Sequence, residues 1–292
     1  MFFQQVVNGL TIGSMYALVA IGYTMVFGVL KLVNFSHGSV FMVGAYLTLQ
    51  IYLALGGHFF IAALLSLVLT GVLGVAIDRF ALRRLRRHNA DRITALISTL
   101  GVGTILDNAI MIAFGSETKA FPNVLELGKF TIGNTVISGV QILIFVMAVL
   151  LMAVMSIIVY RTKMGRAMRA TSQNADAAKL MGINVNLVIA LTFFVGSLLA
   201  SIAVTMYGMY YEAIDPLMGS VISMKTFACV VLGGVGVLPG AMLGGLVIGV
   251  VEAVGASYIS SGYRDAIAFA ILILVLVLRP QGILGKKVAD KL

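Results

Sequence analysis

The amino-acid sequence predicts an all-α fold: a polytopic membrane helix bundle with eight or nine transmembrane segments, some of them broken or re-entrant helices. Of its 292 residues, 60% are hydrophobic and only 11% are charged, whereas soluble domains carry about 25% charged residues. Apolar runs long enough to cross a bilayer recur along the chain, and the basic residues fall in short islands between them. We therefore expect a single transmembrane domain over residues 1–292.

Nine apolar runs approach the ~20 residues that a helix needs to cross the ~30 Å hydrocarbon layer. The second run follows the polar stretch 34–38, and the seventh contains Lys225 and ends in the glycine-rich stretch 233–236. Either of these two could be broken or re-entrant, which leaves the count at eight or nine. The nine runs are residues 6–30, 39–55, 59–77, 93–114, 139–160, 187–207, 217–236, 240–260 and 264–279.

The distribution of charge predicts the orientation. Loop 78–92 carries six Arg, loop 161–186 five basic residues and the tail from 279 four, out of 20 Lys and Arg in all. Basic loops stay in the cytoplasm, so we place these three segments there and the more acidic segments 115–138 and 208–216 outside. The same rule accounts for the net charge of +9, so no nucleic-acid partner is expected. The side on which the N-terminus lies stays open.

Loop 161–186 is too polar to span a membrane but is rich in helix-forming residues. Asn174 is expected to cap a short helix from Ala175 to Met181, and Gly182 to end that helix in a left-handed conformation. Two interpretations remain open for this cytoplasmic helix–turn–helix. It is a docking element for a peripheral protein, or it is a basic loop that rests on anionic membrane lipid.

Ionisable residues inside a membrane are costly and are therefore functional candidates. Asp107 and Glu252 lie within apolar runs. Either one or both face a transport pathway or a partner subunit in the membrane, or each pairs with a polar neighbour on another helix. Lys225 is expected to reach the outer interface. His37 is interpreted as part of a gate or hinge, because its neighbour Ser36 points elsewhere and no acid lies nearby in sequence to orient a catalytic histidine.

The glycine-rich segment 233–249 contains neither a dinucleotide fingerprint nor a phosphate-binding loop, so no nucleotide cofactor is expected in this chain. Gly233, Gly234 and Gly236 are expected to break the helix. The later glycines form small-xxx-small pairs that allow two helices to approach closely. With one cysteine and no ligand spacing among the histidines, no metal site is expected.

Three motifs in order carry a resemblance that runs nearly the whole chain. They are Asn34-Phe35-Ser36-His37-Gly38, the loop from Met164-Gly165-Arg166-Ala167-Met168-Arg169-Ala170 through Met181-Gly182-Ile183-Asn184, and the segment 231–245 that begins Val231-Leu232-Gly233-Gly234. Together they resemble the branched-chain amino acid ABC transporter permeases of the LivH type. The wider family includes permeases for urea and short amides, which remain an alternative.

The resemblance implies a non-enzymatic subunit of an ATP-driven importer of leucine, isoleucine or valine in the bacterial inner membrane. Its implied partners are a second related permease, two cytoplasmic ATPase subunits and a periplasmic amino-acid-binding protein. Loop 161–186 resembles the coupling helix that contacts the ATPase. A secondary transporter is a less favoured alternative, and we find no constellation for an intramembrane enzyme. The coupling candidates are Gly165, Arg166, Arg169, Ala170 and Gly182, and the path or gate candidates are Asn34, His37, Gly38, Asp107, Gly233, Gly234, Gly236 and Glu252.

Overall fold

A computed structural model describes residues 2–88, 90–125, 127–133, 135–279 and 281–285. One long helix lies in each of the nine apolar runs, and three shorter helices lie in the basic loops. A π-helical turn, Asp78–Leu82, joins α3 to α4, and a 3-10 turn, Ser261–Tyr263, precedes α12. The helices are α1 (Phe2–Leu30), α2 (Ser36–Ala54), α3 (Phe59–Ile77), α4 (Arg83–Arg87), α5 (Arg92–Phe114), α6 (Gly139–Arg161), α7 (Lys163–Gln173), α8 (Ala175–Leu180), α9 (Val185–Tyr211), α10 (Met218–Gly233), α11 (Leu238–Tyr258) and α12 (Arg264–Leu278).

The fold is a helix bundle of membrane-spanning character. Within the described ranges, six helical segments are long and apolar enough to cross a membrane, and α10 is apolar but shorter, at 16 residues. The predicted all-α membrane class is therefore confirmed, while the count of eight or nine crossings stays a prediction. The six segments are Phe2–Leu30, Phe59–Arg87, Ile93–Phe114, Gly139–Arg161, Val185–Tyr211 and Leu238–Tyr258.

Two small antiparallel sheets mark one end of the bundle. Strand β1 (Lys119–Ala120) pairs with β4 (Ala213–Ile214), and β2 (Lys129–Ile132) pairs with β3 (Thr135–Ser138). The first pairing brings segments 115–138 and 208–216 together, as their charge predicted. Gln4 exchanges two hydrogen bonds with the backbone of Val136, at 2.9 and 2.8 Å. The start of α1 therefore lies at this same, acidic end.

The basic segments lie together at the opposite end. Gly74 of α3 packs against Phe193 and Ser197 of α9, so the basic end of α3 lies beside the start of α9, where loop 161–186 ends. In the tail, the backbone N–H groups of Ile283 and Leu284 donate to the carbonyls of residues 232 and 233, at 2.8 and 3.0 Å. These bonds satisfy carbonyls that the last turn of α10 leaves without helical partners.

Helix α1 lies at the centre of the bundle, where it packs against α9 and α11. Its crossing with α11 depends on glycines: a Cβ at Gly249 would collide with the backbone of Gly13, and one at Gly245 would lie 2.6 Å from Ala17. Close backbone approach of this kind increases the van der Waals packing that helps to hold helices together in lipid. The small-residue pairs noted in the sequence therefore act in packing.

Candidate translocation path and coupling surface

The polar turn between α1 and α2 is anchored on three sides. Asn34 is buried, and its Oδ1 accepts hydrogen bonds from the backbone N–H and the hydroxyl of Ser36, at 3.2 and 2.7 Å. The N–H of Phe35 donates to Thr99 Oγ1 of α5 at 3.3 Å, and Ser223 Oγ of α10 donates to the carbonyl of Phe35 at 2.9 Å. The turn thus links α1, α2, α5 and α10 inside the bundle.

His37 and Gly38 lie at the same junction. His37 is buried, its ring packs edge-on against Tyr23 at 5.9 Å, and its Nε2 has no hydrogen-bond partner among the described residues. A Cβ at Gly38 would collide with the carbonyl oxygen of Gly219, so this glycine lets α2 and α10 cross in backbone contact. The structure therefore brings Asn34, His37 and Gly38 into one constriction between four helices.

Asp107 lies one helical turn beyond this junction on α5. Gly103, four residues earlier, faces Ser39 of α2, which places Asp107 toward α2. Its Oδ1 is buried and accepts no hydrogen bond from the described residues. The neighbouring Asn108 is exposed and donates from Nδ2 to the carbonyl of Thr104 at 2.8 Å. This carboxyl group therefore has unused hydrogen-bonding capacity at a membrane-embedded position.

Glu252 belongs to a separate, buried charge cluster. Its Oε1 accepts from Lys225 Nζ at 2.9 Å and from the Tyr16 hydroxyl at 3.3 Å, and it lies 3.5 Å from Arg264 Nε. Lys225 also pairs with Asp265 at 2.7 Å. The cluster joins α1, α10, α11 and α12. Of the two roles that the sequence left open for Glu252, this arrangement matches the structural one, in which the carboxyl group pairs with residues on other helices.

Lys225 does not lie free at a surface, since it is only 5% exposed, and its expected reach to the outer interface stays a prediction. Its charge is tolerated there because two carboxylates neutralise it. The sequence carried one usable signal: a lysine inside an apolar run needs an acidic partner, and Glu252 is the acid in the following run. The cluster also borders a cavity of about 180 Å³, which Tyr207, Tyr211 and Asp215 help to line.

Gly233, Gly234 and Gly236 lie at the connection between α10 and α11. Gly234 and Gly236 adopt φ angles of +110° and +82°, which favour glycine, and a Cβ at Gly233 would collide with the carbonyl of Gly240. This hairpin lies at the basic end, about 21 Å along α11 from Glu252. The candidate path residues thus form three groups in space, at the α1–α2 junction with Asp107, at the charge cluster and at this hairpin.

Loop 161–186 folds into the helix–turn–helix formed by α7 and α8. Asn174 Oδ1 accepts from the N–H groups of Asp176 and Ala177, both at 3.0 Å, and Gly182 has a φ of +81°. The expected cap and terminator are therefore confirmed, with α8 ending at Leu180. The Lys179 ammonium hydrogen-bonds Asp176 at 2.8 Å and lowers the pKa of that carboxyl group.

The coupling candidates on α7 have different surroundings. Thr162 Oγ1 accepts from the N–H of Gly165 at 3.2 Å, and a Cβ at Gly165 would collide with the carbonyl of Val159. Arg169 turns back, donates to the carbonyl of Val159 and lies 6.0 Å from the centre of the Tyr160 ring. Arg166 is exposed. Gly165 and Arg169 therefore shape the turn between α6 and α7, and Arg166 is free to contact another protein.

The far edge of this element is apolar and exposed. Leu180 is 89% and Met181 is 81% exposed, which is unusual for large apolar side chains beside a charged, polar helix. Ala170 is half-buried on α7. The loop therefore exposes a cationic side chain, Arg166, and an apolar pair, Leu180 and Met181.

Comparison with known proteins covers nearly the whole chain. Residues 5–276 match a family model described as the branched-chain amino acid transport system / permease component. The chain is 43% identical to the high-affinity branched-chain amino acid transport system permease protein BraD of Pseudomonas aeruginosa, over 99% of this chain and 98% of the relative. It is 40% identical to LivH of Escherichia coli K12, over 99% of this chain and 97% of the relative.

More distant similarity extends to a different substrate class. The ribose import permease protein RbsC of Haemophilus influenzae is 27% identical over 97% of this chain and 87% of the relative. No solved structure shows significant similarity to the chain. All of these relatives are permeases. The relatives with the higher identity, BraD and LivH, are named for branched-chain amino acid transport.

Proposed function

The chain belongs to the family of branched-chain amino acid transport permease components, and from this premise we propose that it imports leucine, isoleucine and valine as one subunit of an ATP-driven transporter. The observation that carries the substrate class is identity of 40% and 43% over almost the full length to permeases named for these amino acids. The chain itself is a multi-pass membrane transport subunit, and the ATP would be hydrolysed by other chains.

The two ends of the chain support nine crossings rather than eight. The start of α1 contacts Val136 at the acidic end, whereas the tail contacts Leu232 and Gly233 at the basic end. A chain whose ends lie on opposite sides has an odd number of crossings. We propose that α1, α2, α3, α5, α6, α9, α10, α11 and α12 cross the bacterial inner membrane, with the N-terminus in the periplasm and the tail in the cytoplasm.

Two cytoplasmic ATPase subunits are the proposed source of energy. The helix–turn–helix of α7 and α8 would contact an ATPase and transmit its closing motion to the membrane helices. Its tight, glycine-dependent turn and the bond from Arg169 to Val159 fasten it to α6, so a push on α7 is transmitted to a membrane helix. Arg166, Leu180 and Met181 are exposed and are the side chains that would meet the ATPase. The alternative is that this loop rests on anionic membrane lipid. The two roles differ because only docking requires an ATPase partner.

At the opposite end, the proposed partners are a periplasmic binding protein and a second related permease. Glu212 and Asp215 offer an acidic rim there: Glu212 Oε1 accepts from Asn123 at 2.8 Å, and Asp215 Oδ2 accepts from Thr118 at 3.1 Å. The α1–α2 junction would act as the gate between the two ends. The backbone contact of α2 with α10 at Gly38 leaves little space for substrate, and the buried His37 beside it has a ring nitrogen without a hydrogen-bond partner among the described residues.

The experiment that tests this proposal is purification of the tagged chain from its native membranes with bound partners, followed by reconstitution. We expect mass spectrometry to identify a second permease and two ATPases, and we expect leucine-loaded binding protein to stimulate ATP hydrolysis. Urea or acetamide in place of leucine is the matched substrate control. Leucine uptake by the chain alone, driven by an ion gradient, would contradict the proposal and indicate a secondary transporter.

A further inference from the structure

The exposed faces of the membrane helices differ in chemistry. On α3 and α6 the exposed side chains within the spans are apolar, as expected for surfaces that face lipid hydrocarbon, and the polar residues Ser66 and Thr70 of α3 are turned inward and buried. The exposed residues are Phe60, Ile61, Leu64, Leu65, Val68, Leu69 and Val72 on α3, and Ile142, Phe145, Val146, Val149, Leu150, Ala153, Val154 and Ile157 on α6.

Helix α5 exposes a different kind of surface. Thr94, Ile97, Gly101, Thr104 and Asn108 are all exposed, and their spacing of three and four residues alternately places them in one line along the helix. We call these five residues the α5 seam. Large aliphatic side chains border it, and each of these is at least 45% exposed: Ile93, Leu100, Ile105 and Ile112.

Within the α5 seam the Thr104 hydroxyl donates to the carbonyl of Leu100 at 3.1 Å, but lipid cannot satisfy the amide of Asn108. Asn108 donates one hydrogen bond, to the carbonyl of Thr104 at 2.8 Å, and its Oδ1 accepts none from the described residues. Because hydrocarbon offers no hydrogen bonds, an amide group at this depth requires protein or water. The α5 seam is therefore not a lipid-facing surface.

We infer that the α5 seam is the surface on which the second related permease packs. This inference rests on the proposed function, which includes that subunit. The seam runs from Thr94 to Asn108, about 21 Å along the helix, so its partner must itself span most of the membrane. Among the proposed partners, the ATPases and the binding protein lie outside the bilayer, and only a permease reaches this depth. A small residue at the centre, Gly101, with aliphatic borders is typical of helix–helix contact in membranes.

Site-specific photo-crosslinking in the assembled transporter tests this inference. A benzophenone amino acid replaces Thr104 or Asn108 on the seam, and Val68 of α3 or Val149 of α6 as matched controls, since both valines are 45% exposed. Irradiation precedes solubilisation from native membranes. We expect positions 104 and 108 to yield a covalent product with the second permease at severalfold the level from positions 68 and 149.

Several results would overturn the inference while leaving the proposed function intact. One is a crosslink to the second permease from position 68 or 149 but not from 104 or 108. Another is rapid modification of Thr104→Cys, in a Cys229→Ala background, by a charged maleimide, which would place the seam on a water-filled cavity. Crosslinks from 104 and 108 to lipid alone, or to another copy of this chain, would also overturn it. Absence of any second permease from the purified complex would refute the proposed function itself.

Discussion

At the scale of single residues, buried charges in this protein are held by mutual neutralisation. Lys225 contacts two carboxylates, and Glu252 contacts two cations and a tyrosine hydroxyl. An ion pair of this kind adds little net stability compared with apolar packing, but removal of one partner leaves an uncompensated charge. Glu252 is therefore expected to matter for the assembly of α1, α10, α11 and α12, whatever it contributes to transport.

Replacing one member of the cluster should destabilise the protein. We expect Lys225→Met or Glu252→Gln alone to lower the free energy of unfolding by about 3–5 kcal/mol. The double variant should lose less than the sum of the single losses, because neither charge is left alone. Thermal unfolding of the purified transporter measures the effect. Asp265→Asn is the control, with a smaller loss expected because Asp265 is 53% exposed.

Uptake by the folded fraction of Glu252→Gln separates the two roles that the sequence left open. Normal uptake per folded transporter would assign Glu252 to structure. Loss of uptake with the complex intact would contradict a purely structural role and place Glu252 on the path.

Gly38, at the crossing of α2 and α10, leads to a second prediction at this scale. We expect Gly38→Ala to lower stability by about 1–3 kcal/mol, because its new methyl group would collide with backbone of α10 that cannot move aside easily. Gly28→Ala on α1 is the matched control, since nothing lies within 4 Å of a Cβ there. That substitution should be neutral or stabilising by ~0.5–1 kcal/mol. Equal melting temperatures for the two variants would contradict this account of the α2–α10 crossing.

At the scale of elements, the helix–turn–helix of α7 and α8 shows which local rules act without tertiary help. Asn174 caps α8 and Gly182 ends it, and both features follow from the immediate sequence. The directions in which Arg166 and Arg169 point do not follow from the immediate sequence. Arg169 bends back to the carbonyl of Val159, ten residues earlier, while Arg166 remains outside, because the tight turn at Gly165 brings α7 against the end of α6.

This difference predicts separate effects for the two arginines. We expect Arg166→Glu to weaken recruitment of the ATPase roughly tenfold, equivalent to ~1.4 kcal/mol, without changing the melting temperature of the permease. Arg87→Glu on α4 is the control: it makes the same change in charge at an exposed site at the same end, outside the loop. Arg169→Met should instead lower stability. Unaltered ATPase binding and uptake in the double variant, Arg166→Glu with Arg169→Glu, would refute the coupling role of this loop.

At the scale of the whole molecule, the bundle has two chemically distinct ends. The start of α1, the two small sheets and the acids Glu212 and Asp215 share one end. The hairpin at Gly234, helix α7 and the tail share the other. Lys31, Arg169 and Gly236 line one cavity of about 260 Å³ there, between the end of α1 and α7.

This arrangement predicts the accessibility of the two ends in intact cells. We expect Phe3→Cys to react with a membrane-impermeant maleimide added outside, after passage through the outer membrane. Leu180→Cys should react only after the inner membrane is permeabilised. Both positions are well exposed, at 75% and 89%, so access and not burial decides the result. Labelling of Leu180→Cys in intact cells would overturn the orientation.

The sequence by itself determined the all-helical membrane class, the positions of the long helices and the shared side of the basic segments. These properties are local, because a chain in hydrocarbon must satisfy its backbone groups within each helix, and loop charge sets orientation. Only the tertiary structure decided which helices bring the charged groups together and at which end of the bundle α1 begins. Tyr16 and Lys225 are 209 residues apart, and Gln4 and Val136 are 132 apart. Such pairs depend on which helices pack side by side, and the hydropathy pattern of one apolar run does not predict which other helices it contacts.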